Sequence, residues 1–237
     1  MPKIIIYTDG ASKGNPGLGG WGALIADERD VVELGGREEH TTNNRMEMRA
    51  AFEALKYTQK FKDVKIMLYT DSNYVIHGAT LWGAGWKKRG WKTSDKTPVL
   101  NRDMWEPLLA LVESFAGRIQ WENIGGHIGV AGNERVDTIA NAFALAQHID
   151  LYAGRRAAYG IDVTDLSFDA EKKKARGESR ARAKQKAYSY VSAVDGKIEV
   201  HKSWAQCEQR VRGKKARFKK ALSAADEATI IKHFTSR

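Results

Sequence analysis

Apolar runs and helical stripes alternate along roughly the first 148 residues. Ile4-Ile5-Ile6-Tyr7 and Ile66-Met67-Leu68-Tyr69 are short, continuous apolar runs, the pattern of strands buried on both faces. Two glycine-rich strands are expected at residues 20–26 and 31–36, separated by a polar turn at 27–30. Residues 43–59 place Met46, Ala50, Ala54 and Leu55 on one helical face, with Asn43 or Asn44 as N-cap. Residues 101–114 repeat the helical period with Met104, Leu108, Leu111 and Val112. Residues 119–124 read as a strand, and residues 133–147 as a helix burying Val136, Ile139, Ala140 and Phe143. Three strands followed by alternating helix and strand predict an α/β fold with a mixed five-stranded sheet flanked by helices.

The pattern breaks after residue 148. Residues 149–168 are mixed and read as an extension of the first domain. Residues 171–187 are crowded with like charges and carry no aromatic or β-branched residue, which is the composition of a linker. Order resumes from residue 188. Asp195-Gly196 between two short apolar-alternating runs predicts a hairpin of residues 190–194 and 197–201. Ser203-x-x-Gln206 and Ser223-x-x-Asp226 open two helices in capping-box fashion, and residues 216–220 supply a third strand. The expected division is therefore 1–148, an extension and linker over 149–187, and a small α+β domain over 188–237.

Charge follows the same division. The chain is 237 residues long with a net charge of +10, yet residues 1–170 sum to −2 and residues 171–237 to +12. A basic C-terminal third points to a polyanionic partner engaged from that end. A lone cysteine, Cys207, excludes an intramolecular disulfide framework and a cysteine-rich zinc site, and fits a reducing cytosol. No apolar stretch is long enough to cross a bilayer, so a soluble cytoplasmic protein with no membrane partner and no obligate protein partner is expected.

Candidate chemistry begins where the two apolar runs stop. Both end in Tyr-Thr-Asp, at Asp9 and Asp71, and strand ends are rigid mounts that can converge two carboxylates on one spot. Converging carboxylates suit a divalent metal. Glu47 and Asp137 fall in the first turns of their expected helices, where the dipole favours an acid whatever its role. Spacing alone does not show that the four meet.

Four motifs in order resemble type 1 ribonuclease H through residues 3–147. They are Tyr7-Thr8-Asp9-Gly10-Ala11-Ser12-Lys13-Gly14-Asn15-Pro16-Gly17, Thr41-Thr42-Asn43-Asn44-Arg45-Met46-Glu47, Tyr69-Thr70-Asp71-Ser72, and Gly126-His127-x-Gly129-x-x-Gly132-Asn133-Glu134-x-Val136-Asp137. The resemblance implies an endoribonuclease that cuts the RNA strand of RNA/DNA hybrids, leaving 3′-hydroxyl and 5′-phosphate ends. It implies two Mg²⁺ ions, with Mn²⁺ as a substitute, held by Asp9, Glu47, Asp71 and Asp137. Asp9 would bridge both ions, Asp71 would serve the nucleophile side, Glu47 would touch a 2′-hydroxyl and Asp137 would hold the second ion. His127 would assist proton transfer or product departure. Ser12, Asn15, Asn43 and Asn73 would read the RNA minor groove, and Thr42 and Asn44 would hold the DNA strand. Trp82-x-x-x-Trp86-Lys87-Lys88-Arg89-Gly90-Trp91-Lys92 resembles the family's basic protrusion. There Trp86, Lys87, Lys88, Arg89 and Trp91 would meet the DNA backbone and sugars or pack the projecting loop. One departure from the pattern is the apolar loop at residues 128–131.

Tyr190, the hairpin, Ser203-Trp204-Ala205-Gln206-Cys207 and Ala216-Arg217-Phe218-Lys219-Lys220 resemble the hybrid-binding domain of eukaryotic type 1 ribonucleases H and the viroplasmin of caulimoviruses. That implies Tyr190, Trp204 and Phe218 on the DNA strand and Lys219 and Lys220 on its phosphates. It also opens double-stranded RNA as a further partner. The alternative is core roles for Trp204 and Phe218. Two rivals to the whole reading stand beside it: a catalytically silent binder of hybrid or double-stranded RNA, and the ribonuclease H piece of a reverse transcriptase.

Overall fold

The computed structural model describes residues 1–125, 129–167 and 185–235, and the chain divides into two compact units, Met1–Lys172 and Lys173–Arg237. Among the described residues no helix is long and apolar enough to cross a membrane.

In the first unit the strands are β1 (Lys3–Gly14), β2 (Gly17–Ala26), β3 (Asp30–Thr41), β4 (Lys65–Thr70), β5 (Ile119–Asn123) and β6 (Ala153–Arg155). They form one mixed sheet in the order β5-β4-β1-β2-β3-β6. β1 to β3 make an antiparallel meander, while β4 and β5 run parallel to β1. The sheet thus carries one strand more than the five expected. β6 is only Ala-Gly-Arg, too short and too weakly patterned to announce itself, and it adds to β3 through Val31 and Val32.

One face of the sheet packs against α1 (Asn43–Thr58) and α4 (Arg102–Ser114), burying Ile4, Ile6, Ile66 and Leu68 with Met48, Leu55, Trp105 and Leu108. On this side too lie α2 (Asn73–His77), a π-type turn at Gly78–Trp82 and α3 (Gly83–Lys88). Tyr7, Leu24 and Tyr69 face the other way, towards Val136 of α5 (Ala131–Ala144) and Val163. With apolar residues on both faces, β1 shows why its sequence reads as a continuous run rather than an alternation.

The N-cap of α1 is Thr42, not Asn43 or Asn44: its backbone is extended and its Oγ1 accepts the Arg45 N–H at 3.4 Å. All three residues are good caps by type, so only the observed dihedrals separate them. α5 starts two residues earlier than the sequence pattern indicates, and Tyr7 explains how it docks. A Cβ at Gly132 would stand 2.5 Å from the Tyr7 ring, so only glycine lets the first turn of α5 rest on β1.

The second unit is a three-stranded antiparallel sheet, β8-β7-β9, of β7 (Ser189–Val194), β8 (Lys197–His201) and β9 (Ala216–Ala221). Asp195 and Gly196 both have positive φ, 49° and 77°, as a tight hairpin turn with right-handed twist demands. α6 (Trp204–Val211) covers one face through Cys207 and Val211, and α7 (Ala224–Thr235) covers the other through Ile230 and Phe234. Both capping boxes form. Ser203 Oγ accepts from Gln206 N–H while Gln206 Oε1 accepts from Lys202 N–H; Ser223 Oγ and Asp226 Oδ2 repeat the exchange with Asp226 and Leu222. Most of the expected linker, residues 171–184, lies outside the described residues.

Candidate active site

The repeated Tyr-Thr-Asp becomes geometry through strand register. β1 and β4 are parallel neighbours with Tyr7 opposite Tyr69 and Thr8 opposite Thr70, so Asp9 and Asp71 lie one residue beyond matched positions. The Tyr7 and Tyr69 rings stack at 5.0 Å and lock that alignment. β4 stops at Thr70, whose Oγ1 accepts the Ser72 N–H, and Ser72 then caps α2. Asp71 is therefore pinned between a strand end and a helix start.

Glu47 arrives from α1 by close packing. A Cβ at Gly10 would lie 2.3 Å from the Glu47 backbone nitrogen and 2.6 Å from Met46 C, so glycine beside Asp9 lets the first turns of α1 touch β1. Asp9, Glu47 and Asp71 each offer a carboxylate oxygen within 4.8 Å of one another. Asp137, from α5, joins them in lining an open pocket of about 390 Å³ with Ser12, Lys13, Asn43 and Asn141.

This crowding is electrostatically unfavourable for the bare protein. Burial, then the charges of Asp71 and Asp137, push the Asp9 carboxyl up to about 8, although the Gly10 N–H donates to its Oδ1 at 2.7 Å. Burial and the charges of Asp9 and Asp71 hold Glu47 well above the usual carboxylate range. Asn43 Nδ2 donates to Glu47 Oε1 at 2.9 Å, whereas Glu47 Oε2 is buried with no hydrogen-bond partner. A buried acceptor without a donor, among acids that repel one another, is resolved by a hard divalent cation, which takes oxygen ligands and cancels the repulsion. The donor set fits one.

The other expected site residues distribute unevenly. Ser12 and Asn43 line the pocket; Asn15, Thr42, Asn44 and Asn73 do not. Asn73 Oδ1 accepts from Asn123 Nδ2 at 3.1 Å, which places a β5 residue absent from the sequence reading beside Asp71. His127 lies outside the described residues. In the tryptophan-rich segment, Lys88 and Arg89 are exposed, and Lys87 pairs with Glu113 at 2.7 Å. Of the two roles expected for Trp86, packing the projecting loop is the one its burial matches: it is only 8% exposed, with its ring 5.3 Å from that of Trp105. Its position on the inner side of α3 makes it the anchor of the segment, while Trp82 and Trp91 are partly open. In the second unit Tyr190, Trp204 and Phe218 form a contiguous aromatic row, with centroids 5.6 and 5.3 Å apart. Trp204 and Phe218 are 40% and 51% exposed, so neither is a core residue.

Sequence reading missed Lys13 and Asn141, which line the pocket, and Glu33, which is buried on β3 beneath the segment after α5. Lys13 stands inside the first quoted motif without a role there, and no local pattern marks Asn141 or Glu33.

Comparison with known proteins agrees with this architecture. The chain is 50% identical over 141 residues to the ribonuclease H of Cupriavidus pinatubonensis, covering 60% of this chain and 94% of that protein. It is 52% identical over 148 residues to the ribonuclease H of Thermosynechococcus vestitus, covering 62% and 91% respectively. Among solved structures it resembles LC9-RNase H1, a type 1 RNase H with the type 2 active-site motif. That match has a TM-score of 0.55 and 29% identity, over 64% of this chain and 77% of that one. The family model for RNase H matches residues 1–144, the stretch that carries the sheet and all four carboxylates, and the chain belongs to the RNase H family.

Proposed function

We propose that this protein hydrolyses the RNA strand of RNA/DNA hybrids as an endonuclease, with Asp9, Glu47, Asp71 and Asp137 as the ligands of two Mg²⁺ ions. The observation that carries the reading is the gathering of these acids, from four separate segments of the chain, in one pocket of an RNase H family domain. Bound there, the ions would supply Lewis-acid activation of a water and charge stabilisation on the leaving oxygen. The protein's own part is placement. Strand register fixes Asp9 against Asp71, Gly10 admits Glu47, and the Asn43 amide holds one oxygen of Glu47. In the reaction, water adds to phosphorus and the bond to the 3′ oxygen breaks. That oxygen leaves as a hydroxyl and the phosphate stays on the 5′ side. Ser12, Asn15, Asn43 and Asn73 are assigned to the RNA strand and Thr42 and Asn44 to the DNA strand. His127 is assigned to proton transfer or product departure, and Lys87, Lys88, Arg89 and Trp91 to the DNA backbone.

The second unit is assigned to duplex binding through Tyr190, Trp204 and Phe218, with Lys219 and Lys220 on phosphates; an aromatic row with Trp204 and Phe218 exposed beside basic residues is a stacking platform in an electropositive surround. Tethered to the catalytic unit, it raises the local concentration of substrate.

The test is a labelled RNA/DNA hybrid incubated with the protein and with Asp71→Asn, with and without Mg²⁺, beside single- and double-stranded RNA. Metal-dependent cleavage of the hybrid's RNA, lost in the variant while binding persists, is expected. Tight binding with no cleavage in Mg²⁺ or Mn²⁺ would instead make the protein a silent binder. Retention of double-stranded RNA by residues 185–237 would extend the second unit's ligand to that duplex.

A further inference from the structure

Two asparagines stand one helical turn from two of the pocket's acids. Asn43 precedes Glu47, and Asn141 follows Asp137. The second arrangement goes further than a local pair. Asn141 Nδ2 donates to Asp137 Oδ1 at 2.9 Å and to the Asp137 backbone oxygen at 2.9 Å. On its other side, Asn141 Oδ1 accepts from Lys13 Nζ at 2.6 Å, and Lys13 comes from the far end of β1, 128 residues away in sequence. All three residues line the same pocket.

The chemistry of these groups allows one arrangement. A lysine ammonium only donates, and an ionised carboxylate only accepts. An amide placed between them must turn its oxygen to Lys13 and its nitrogen to Asp137; the flipped amide would set donor against donor and acceptor against acceptor. Lys13 therefore fixes the orientation of Asn141, and Asn141 fixes one oxygen of Asp137. A plain i,i+4 side-chain pair on a helix surface contributes little. The added cation from another element and the position inside the pocket set this pair apart.

We infer that Asn141, oriented by Lys13, is a positioning residue that presents the Asp137 carboxylate to a divalent cation. The inference rests on the reading of Asp137 as a metal ligand given above. Hydrogen-bonded partners of ligating groups typically change metal affinity by roughly 10–100-fold when removed. The effect belongs to metal binding and not to substrate binding, since it acts before any nucleic acid arrives.

Charge and positioning predict opposite outcomes at Lys13. Removing a positive group near a cation site should tighten cation binding if only its charge matters. Removing the group that orients Asn141 should weaken it.

The experiment titrates Mn²⁺ into the full chain by calorimetry without nucleic acid, for the wild type, Asn141→Leu, Lys13→Met and Asp137→Asn. The Mn²⁺ dependence of kcat and the KM for hybrid are measured alongside. Leucine keeps a branched side chain at position 141 and favours the helix while removing the amide's donors and its acceptor, and a melting curve checks that each variant is folded. Asn141→Leu is expected to raise the Mn²⁺ dissociation constant and the half-saturating Mn²⁺ for kcat roughly tenfold, with KM for hybrid unchanged. Lys13→Met is expected to weaken Mn²⁺ binding severalfold and to add nothing in the Asn141→Leu background. If Asp137→Asn weakens Mn²⁺ binding but Asn141→Leu does not, the inference is overturned while the ligand assignment stands. Wild-type binding in Asp137→Asn would overturn the ligand assignment itself. Tighter binding in Lys13→Met would overturn its orienting role.

Discussion

Glu33→Gln is the sharpest test of how the first unit holds together outside its pocket. The Glu33 side chain is fully buried on β3 and accepts four hydrogen bonds. Arg135 Nε and Nη2 donate to its two oxygens at 2.7 Å each, the Tyr152 N–H donates at 2.9 Å and the Tyr159 hydroxyl also donates. These donors tie α5, β3 and the segment after α5 to one carboxylate. Glutamine removes the charge and turns one acceptor into a donor facing donors. Breaking a buried pair from one side costs about 3–5 kcal/mol. The Arg135 side chain is 24% exposed and also donates to Asp150 O, so the low end applies, about 3 kcal/mol. For a unit of this size that is a fall in Tm of roughly 6–12 °C at pH 7. The pH dependence follows from the acid's shift. Burial raises the Glu33 carboxyl, but Arg135, Tyr159 and the Tyr152 N–H outweigh it and bring it below the usual range. A carboxyl lowered in the folded state stabilises fully above its unfolded value of about 4.3, and loses that contribution as pH falls through the folded value. Calorimetric melts of the full chain from pH 7 to pH 3 should show the gap between wild type and variant shrinking below about pH 4. A gap under about 2 °C at pH 7, or one that stays constant to pH 3, would refute the reasoning.

Two further outcomes are expected. Gly10→Ala places a methyl 2.3 Å from the Glu47 nitrogen and should push α1 off β1, lowering stability by about 1–3 kcal/mol and single-turnover cleavage by up to about 100-fold; a folded variant with the wild-type rate would show that this contact does not set the site. Trp204→Ala, at an exposed position, should weaken hybrid affinity by roughly 1–3 kcal/mol in fluorescence polarisation while leaving the salt slope unchanged, because no phosphate contact is lost; unaltered affinity would remove the aromatic row from the binding surface.

What the sequence revealed, and what it hid, divides along a physical line. Asp71 was legible because it follows a strand end, which is written locally as an apolar run meeting a polar turn; Asp9 was legible because the same apolar run stops there, although β1 itself continues to Gly14 and Asp9 stands inside the strand, opposite Gly22. Their convergence then needed only the parallel pairing of β1 with β4. The capping boxes at Ser203 and Ser223 and the Asp195-Gly196 turn were legible for the same reason, since each is decided within four residues. Glu33 was not, because its partners lie 102, 119 and 126 residues away and a single glutamate in a glycine-rich strand reads as a solvent-facing charge. β6 was hidden because its partner, β3, supplies the apolar side of the pairing. Trp86 was left between two roles because composition reports how many tryptophans a helix carries, not which of them faces Trp105. Lys13 sits in a motif that gives it no role and Asn141 lies beyond the last motif, and only their meeting across β1 and α5 gives them meaning. The acids of the pocket are thus announced by local sequence, while the groups that hold their side chains come from tertiary contacts that no local pattern records.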